Sequence, residues 1–273
     1  MRIDRYLESL SQTEHQARKA ALEAALREEN LPYTVQSGSE PHTGRPVQNY
    51  MVYPAELGPC PMFCAHYDAC PGSPGANDNA ASLCILIELA VFCRENRIPA
   101  AFCFLDGEEC GHLGAKLLEK NRSREFSVVV NLDMCGYGDT IALYAKGGRR
   151  KPAAAVFLQK KRMQAHHVRE VNYLPEGDDR CFSTGVQPVF SLAVMPFWDT
   201  RYLDAIAAHG NLLGNFPEAS LILEQMEVIS TMHGGWRDQI KWVQPEAMQM
   251  VYDYLSEVLC APAAAEHFRF PGK

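Results

Sequence analysis

The middle of the chain alternates short apolar runs with helical segments, and this alternation predicts its architecture. An extended run at 61–65 is followed by a helix at 79–94, a strand at 100–105, a helix at 112–121 and a strand at 126–132. The first of these helices is apolar on nearly every face, which is typical of a helix packed between other layers. This β-α-β-α-β order predicts a largely parallel sheet with helices on both faces.

The same pattern predicts further elements on both sides of this central unit. An amphipathic helix over 3–29 opens the chain, and a helix over 245–259 with proline in its first turn closes it. The shorter elements are extended segments at 33–36 and 47–53, a strand at 141–144, a helix at 153–165 and a strand at 188–194. We therefore predict a single α/β domain over 1–273, a three-layer αβα sandwich with a mixed, mostly parallel sheet.

The stretch 196–231 interrupts the alternation. Its large apolar residues include Trp198, Tyr202, Phe216 and Leu221. It either packs into the core or forms a mobile insertion, such as a lid or a specificity wall over a site. The tail that begins at Ala261 is expected to fray.

Composition and charge narrow the functional classes. A chain of 273 residues with 47% hydrophobic and 22% charged residues can bury a substantial core. Its net charge of −7 argues against a nucleic-acid-binding surface, which would need a basic stripe. The basic cluster at 146–151 is interrupted by two glycines. That cluster is interpreted as a solvated turn, with an anion site as the alternative.

The lack of a recognisable targeting signal, together with the cysteine usage, predicts a cytoplasmic protein. The first five residues lack the apolar region of a signal peptide, and no apolar run approaches the 18 or so residues of a membrane span. None of the ten cysteines forms a Cys-x-x-Cys pair, so we expect them to stay reduced. Cys84, Cys93 and Cys103 lie in apolar segments and are expected to pack as small core residues. The oligomeric state stays open.

Residues with metal-binding chemistry follow three of the predicted strands. His66 follows the run at 61–65, Glu108 and Glu109 follow the strand at 100–105, and Asp133 follows the strand at 126–132. In open α/β sheets, sites form at the carboxyl ends of the strands. A two-metal hydrolase needs imidazole and carboxylate ligands with one bridging carboxylate. The candidate set is His66, Asp68, Asp78, Glu108, Glu109, Asp133, Asp178 and His233.

Each candidate also has a structural interpretation. Asp78 precedes a strong helix and could be its N-cap, and Asp133 could close a turn. His233 stands beside two glycines and could lie in a surface turn. Asp68 could be solvated, or it could orient His66 through the second ring nitrogen. The shared position at one sheet edge favours a metal site.

Several motifs in this chain resemble those of the M28 family of zinc exopeptidases. The resemblance covers 45–259 with the motifs in the same order. His66-Tyr67-Asp68 and the run Gly75-Ala76-Asn77-Asp78 resemble the His-x-Asp and Gly-Ala-x-Asp motifs of that family. The segments 107–115 and 131–134 resemble its Glu-Glu-x-Gly and Asn-x-Asp-Met motifs. Weaker likenesses lie at 177–182 and at 232–238.

The resemblance implies the zinc-exopeptidase (phosphorylase/hydrolase-like) type of this fold and a ligand set. His66 and Asp133 would bind one zinc, Glu109 and His233 would bind the other, and Asp78 would bridge them. The peptide bond that follows the bridging aspartate would be cis. Two zinc ions are expected, and cobalt or manganese would suit the same ligands.

The resemblance also implies an activity, the removal of N-terminal residues from short peptides or aminoacyl substrates. Glu108 would be the general base, with Asp68 as the second catalytic candidate. Asp178 would contact substrate, although Asp179 stands where the family usually has histidine. A glutaminyl cyclase with a single zinc is the alternative, and a non-catalytic binding module is the third possibility. Glutaminyl cyclases typically carry a longer insertion after the Glu-Glu pair, so the short segment after Glu109 favours the peptidase.

Overall fold

The structure is a computed structural model that describes residues 2–54, 59–122, 125–213 and 218–261. In these residues eight strands form a mixed sheet in the order β1-β2-β4-β3-β5-β8-β6-β7. The strands are β1 (Thr34–Ser39), β2 (Pro46–Val52), β3 (Cys60–His66), β4 (Ala101–Leu105), β5 (Phe126–Leu132), β6 (Thr140–Gly147), β7 (Val168–Val171) and β8 (Val189–Met195).

The four central strands β4, β3, β5 and β8 are mutually parallel. Strand β2 joins β4 in the antiparallel direction, and β6 joins β8 in the same way. His66 pairs with Leu105, and Leu132 pairs with Leu192, so the carboxyl ends of the central strands meet at one edge. The prediction of a mixed, mostly parallel sheet is confirmed.

Helices cover both faces of the sheet. The longer ones are α2 (His15–Glu28), α3 (Ala81–Asn96), α7 (Phe197–Leu213) and α9 (Pro245–Cys260). The shorter ones are α1 (Leu7–Leu10), α4 (Leu113–Lys120), α5 (Pro152–Phe157), α6 (Lys160–Ala165) and α8 (Glu218–Leu223). A π-helical turn spans Ala76–Ala80, and 3₁₀ turns span Asp178–Cys181, Glu227–Thr231 and Ile240–Trp242.

Alternate residues of each central strand belong to different layers, because successive side chains point to opposite faces of a sheet. In β3, Phe63 and Ala65 pack with α3 and α9, whereas Met62 and Cys64 pack with α4. A third buried cluster joins β6 and β8 to Leu203 of α7. The three-layer αβα arrangement is therefore confirmed.

Helix α3 is the centre of the larger layer. Together with the turn before it, the segment Ala76–Asn96 is long and apolar enough to cross a membrane by length and composition. In this structure 94% of its apolar window is buried inside the protein, where α3 packs against α9. Burial on all sides explains why this segment is apolar around its whole circumference.

Two predicted helices are each interrupted, which corrects the sequence-based assignment. The helix predicted over 3–29 is divided into α1 and α2, because Ser11 leaves the helical conformation and Glu14 is extended. Serine and threonine in this interruption favour turns over helix interiors. The helix predicted over 153–165 is divided at Gln159, which is also extended. Strand β7 was missed because its four residues are too few for a clear alternation.

The stretch 196–231 contains α7 and α8. Leu203 and Ile206 of α7 are buried, whereas Trp198 and Tyr202 are exposed. The buried residues make α7 part of a helical layer. Core packing therefore holds for Leu203 and Ile206 and does not hold for Trp198 and Tyr202. Phe216 and the tail at 262–273 lie outside the described residues.

Candidate metal centre

The carboxyl edge of the central strands brings the predicted ligands together. His66 ends β3, and Asp133 follows β5 directly. After β4, Gly107 has a φ of +70°, and this left-handed turn leads directly into Glu108 and Glu109. The two remaining ligands come from segments outside the sheet. Asp78 lies in the π-helical turn before α3, and His233 follows the 3₁₀ turn at 227–231.

These side chains form two groups that share one carboxylate. The first group is His66, Asp78 and Asp133, and the second is Asp78, Glu109 and His233. His66 Nε2 lies 3.2 Å from Asp78 Oδ1 and 3.5 Å from Asp133 Oδ1. In the second group, His233 Nε2 lies 3.7 Å from Glu109 Oε2. A shared carboxylate between two ligand groups is the arrangement that a two-metal site requires.

The chemistry of these atoms fits a divalent cation. Among the described residues, His66 Nε2, Asp133 Oδ1 and Glu109 Oε1 are buried and have no hydrogen-bond partner of acceptable geometry. Buried polar atoms are nearly always hydrogen-bonded, so several unpartnered ligand atoms at one place need an explanation. Imidazole nitrogen and carboxylate oxygen are the donors that zinc prefers. The residues present therefore fit zinc.

The electrostatics of the cluster point the same way. Burial, followed by the nearby charge of Asp78, raises the pKa of Glu109 to about 8. Burial also raises the pKa of Asp133 to about 6, against the opposing attraction of the His66 imidazole. Several carboxylates are thus held close together out of water, where their charges repel. A bound cation would relieve this repulsion.

Asp68 connects His66 at the end of β3 to the turn that carries Glu108 and Glu109. Its Oδ1 accepts a hydrogen bond from the Glu108 amide at 3.0 Å, and its Oδ2 accepts one from the Glu109 amide at 3.2 Å. His66 Nδ1 lies 3.4 Å from Asp68 Oδ1 and 3.2 Å from the Asp68 carbonyl oxygen. Burial opposes ionisation of Asp68, but the hydrogen bond with His66 and these amides hold its pKa below the ordinary value. Asp68 is placed to orient His66 and the turn that carries both glutamates.

Asp78 is held by groups that are distant in sequence. Asp238 Oδ1 accepts hydrogen bonds from the amides of Asn77 at 2.9 Å and Asp78 at 3.2 Å. The His233 amide donates to Asp78 Oδ2 at 3.0 Å. The Asp78–Asn79 peptide bond is cis, as the resemblance implied. These contacts connect Asp78, which belongs to both candidate ligand groups, to the loop that carries His233.

Arg18 holds the loop that carries Asp68, and the sequence analysis did not identify it. The side chain, 1% exposed, comes from α2 and donates to the carbonyl oxygens of Tyr67 at 2.7 Å and Pro74 at 2.6 Å. The loop at 67–75, which carries Asp68, is thereby connected to a helix. An arginine inside an amphipathic helix ordinarily belongs to the solvated face, so no sequence signal pointed to this role.

A cavity of about 100 Å³ lies beside the ligands. Asp78, Glu108, Asp133 and His233 line it on the metal side. The remaining lining residues include apolar walls (Met134, Leu174, Pro175, Leu192, Met232) and polar groups (Asn131, Asp179, Ser191). Among the described residues, none between 196 and 231 lines this cavity. A lid function for that stretch stays a prediction.

Of the two predicted residues Glu108 and Asp178, the structure places only Glu108 at the wall of this cavity. Glu108 lines the cavity and belongs to neither ligand group, as a general base would. Asp178 is buried beside His112, with Oδ1 3.4 Å from His112 Nδ1, and it is not among the residues that line the cavity. Its neighbour Asp179 lines the cavity instead and pairs with Lys146 at 3.3 Å. A substrate contact by Asp178 stays a prediction.

Comparisons with known proteins give one matching family model and several solved structures with the same fold. No curated protein sequence matches the chain. A sequence model described as Peptidase family M28 matches residues 59–200, just over half of the chain. Solved structures with the same fold include the LapA aminopeptidase of Legionella pneumophila, at 15% identity and a TM-score of 0.68, covering 98% of this chain and 72% of that one.

Two further solved structures show the range of activities on this fold. A glutaminyl cyclase from Porphyromonas gingivalis is 16% identical with a TM-score of 0.70, covering 94% of this chain and 96% of that one. BSAP, a zinc aminopeptidase from Bacillus subtilis, is 20% identical with a TM-score of 0.58, covering 83% of this chain and 55% of that one. At these identities the likeness shows a shared fold.

Proposed function

This chain belongs to peptidase family M28, and from this premise we propose that it is a metal-dependent aminopeptidase that removes N-terminal residues from short peptides. The observation that carries the proposal is the pair of ligand groups that share Asp78. Two His and three carboxylates give each of two ions three protein ligands, which leaves room for substrate or water.

The residues divide the work between binding and proton transfer. His66 and Asp133 would hold one zinc ion, Glu109 and His233 the other, and Asp78 would contact both. When bound, such an ion supplies a Lewis acid that makes water a better nucleophile at neutral pH. Glu108 takes a proton from the attacking water and returns it to the leaving amine. The adjacent cavity accepts the side chain of the residue that is removed.

A glutaminyl cyclase is the second candidate. The observation in its favour is the cyclase structure of nearly equal length, of which this chain covers 96%. Against it, α4 begins at Leu113, so only Cys110, Gly111 and His112 separate it from Glu109. The turn also remains closed, because the Leu113 amide donates to the Gly107 carbonyl oxygen at 2.9 Å. We therefore place the peptidase first.

The test combines metal analysis with hydrolysis of a panel of aminoacyl-anilides. We expect about two zinc ions per chain and anilide release that a chelator abolishes. Glu108→Gln should keep its zinc while turnover falls by about two to four orders of magnitude. The exposed Glu224→Gln is the matched control and should behave like the wild type.

Each other result has a definite meaning. One zinc per chain without anilide release, together with cyclisation of N-terminal glutamine, would establish the cyclase instead. A protein that retains no zinc after zinc is supplied would refute both metal-dependent candidates. Normal turnover of zinc-loaded Glu108→Gln would remove Glu108 from its role as the base.

A further inference from the structure

We propose that His112 positions the carboxylate of Glu108 and that Asp178 positions His112. This inference rests on the proposed function, because it takes Glu108 as the general base. The three residues come from three different elements. Glu108 belongs to the turn after β4, His112 precedes α4, and Asp178 opens the 3₁₀ turn Asp178–Cys181.

One ring nitrogen faces both carboxylates. His112 Nδ1 lies 3.1 Å from Glu108 Oε1 and 3.4 Å from Asp178 Oδ1. The side chains of Glu108 and His112 are each 12% exposed, and that of Asp178 is 1% exposed. Electrostatic attraction is stronger in such surroundings than in water. The His112 imidazole therefore connects Glu108, which lines the cavity, to the buried carboxylate of Asp178.

In the part of the chain that the structure describes, no other residue competes with His112 for Asp178. Among the described residues, neither of its carboxylate oxygens has a hydrogen-bond partner of acceptable geometry. A buried carboxylate is costly unless an opposite charge compensates it. The nearby carboxylates, Asp178 first and then Glu108, raise the pKa of His112 to about 9. A cationic imidazole at neutral pH is the compensating charge for both carboxylates.

The backbone around His112 also serves this contact. His112 has a φ of +59°, a left-handed conformation that histidine and asparagine adopt more readily than most residues. Its amide donates to the Glu108 carbonyl oxygen at 2.9 Å, which closes the turn and brings the ring back to Glu108. Asp68 holds the Glu108 amide from the other side. Glu108 is thus fixed through its backbone by Asp68 and through its side chain by His112.

A purely structural role for the ring is disfavoured. His112 occupies the N-cap position of α4, but its side chain makes no capping hydrogen bond to the helix. Among the described residues, the carboxylates within ion-pair distance of the ring are those of Glu108 and Asp178. The side-chain contacts therefore point into the candidate site.

The test uses two substitutions that both tolerate a left-handed backbone. In His112→Asn the amide nitrogen is as many bonds from Cβ as Nδ1 is, so a donor is retained, whereas His112→Gly removes it. On aminoacyl-anilides we expect His112→Gly to lower kcat about 10- to 100-fold with unchanged zinc content and KM within about twofold. His112→Asn should recover most of this loss, and added imidazole should partly rescue the glycine variant.

A double-mutant cycle tests the part played by Asp178. Asp178→Asn should lower kcat in the wild-type background and have little further effect in His112→Gly, because it acts through the ring. Equal kcat values in His112→Asn, His112→Gly and wild type would overturn the positioning of Glu108. Full additivity of the two losses would overturn the connection to Asp178.

A readout that does not depend on activity separates this inference from the proposed function. Nitrogen NMR of the His112 ring should show a titration midpoint near the expected pKa of about 9, and Asp178→Asn should lower it by at least about one unit. The exposed Asp253→Asn is the control. An unchanged midpoint in Asp178→Asn overturns the inference. A lowered midpoint in a protein that releases no anilide refutes the aminopeptidase and leaves the hold of Asp178 on His112 in place.

Discussion

Replacing Asp68 with asparagine tests how the ligand set is held in place. The two oxygens of Asp68 accept separate backbone amides, from Glu108 at 3.0 Å and from Glu109 at 3.2 Å. Asparagine offers one oxygen and one NH₂ group, so one of these amides would face a donor. Since Asp68 is 2% exposed, water cannot replace the lost acceptor. The turn that carries both glutamates must then shift.

The size of the effect follows from the hydrogen bonds that are lost. A hydrogen bond to a charged group contributes about 1.5–3 kcal/mol. At about 1.4 kcal/mol for each factor of ten, the loss of one such bond corresponds to about a 10- to 150-fold change. Residues that orient metal ligands typically change affinity or activity by about 10- to 100-fold when replaced. We expect Asp68→Asn to weaken zinc binding and to lower kcat/KM within this range.

The assay is competition for zinc between the protein and a chromophoric chelator at neutral pH, followed by kcat/KM on the best anilide. Circular dichroism shows whether the variant is folded. Asp253→Asn, on the exposed face of α9, is the matched control and should leave both quantities unchanged. Zinc affinity and kcat/KM of folded Asp68→Asn within about threefold of wild type would refute the reasoning, because a shift worth 1.5 kcal/mol is larger than that.

Three further predictions concern stability. Zinc at about 100 times its dissociation constant should stabilise the stripped protein by about 2.7 kcal/mol, seen as a rise in Tm that a chelator reverses; an unchanged Tm would speak against a specific site. Burial raises the pKa of Glu88 to about 7, so its contribution to stability is present below the unfolded value of 4.5 and is lost as pH rises through 7. In urea unfolding, the free energy of unfolding of Glu88→Gln should therefore rise by about 1–2 kcal/mol relative to that of wild type between about pH 5 and pH 8. A difference between the two proteins that does not change with pH would contradict this. Arg18→Met leaves buried carbonyl oxygens without donors and should cost about 3 kcal/mol in the same urea assay; a cost below about 1 kcal/mol would show that the loop at 67–75 does not depend on Arg18.

Local pattern predicted the strands that build the site. The strand predicted at 126–132 coincides with β5. The run at 61–65 is one residue shorter than β3 at each end, and the run at 100–105 begins one residue before β4. Continuous apolar runs of this length identify buried parallel strands, because both faces of such strands are covered. The same reasoning predicted the helices less well. Interruptions at Ser11 and Gln159 depend on single backbone conformations that an average periodicity does not reveal.

The outcome for the candidate site divides in the same way. The positions of His66, Glu109 and Asp133 at strand ends followed from the sequence, since the carboxyl ends of parallel strands meet at one edge. Bringing His233 to Asp78 depended on a loop far along the chain, and the motif resemblance suggested it. The proposed role of His112 had no sequence signal, because a histidine after a glycine is ordinarily part of a turn. Only the packing of α4 against the 3₁₀ turn at 178–181 places it beside Asp178.

The sequence by itself determined the central strands and the helices α3, α4 and α9, and that acidic and imidazole side chains follow the central strands. These properties depend on neighbours along the chain, where burial and backbone period leave a repeating pattern. Only the tertiary structure decided the order β4-β3-β5-β8, the pairing of Ser73 with Asp238 across 165 residues and the shared use of Asp78 by two ligand groups. Such contacts join residues that share no local pattern, and they arise only when the layers pack and close-packed side chains allow one arrangement.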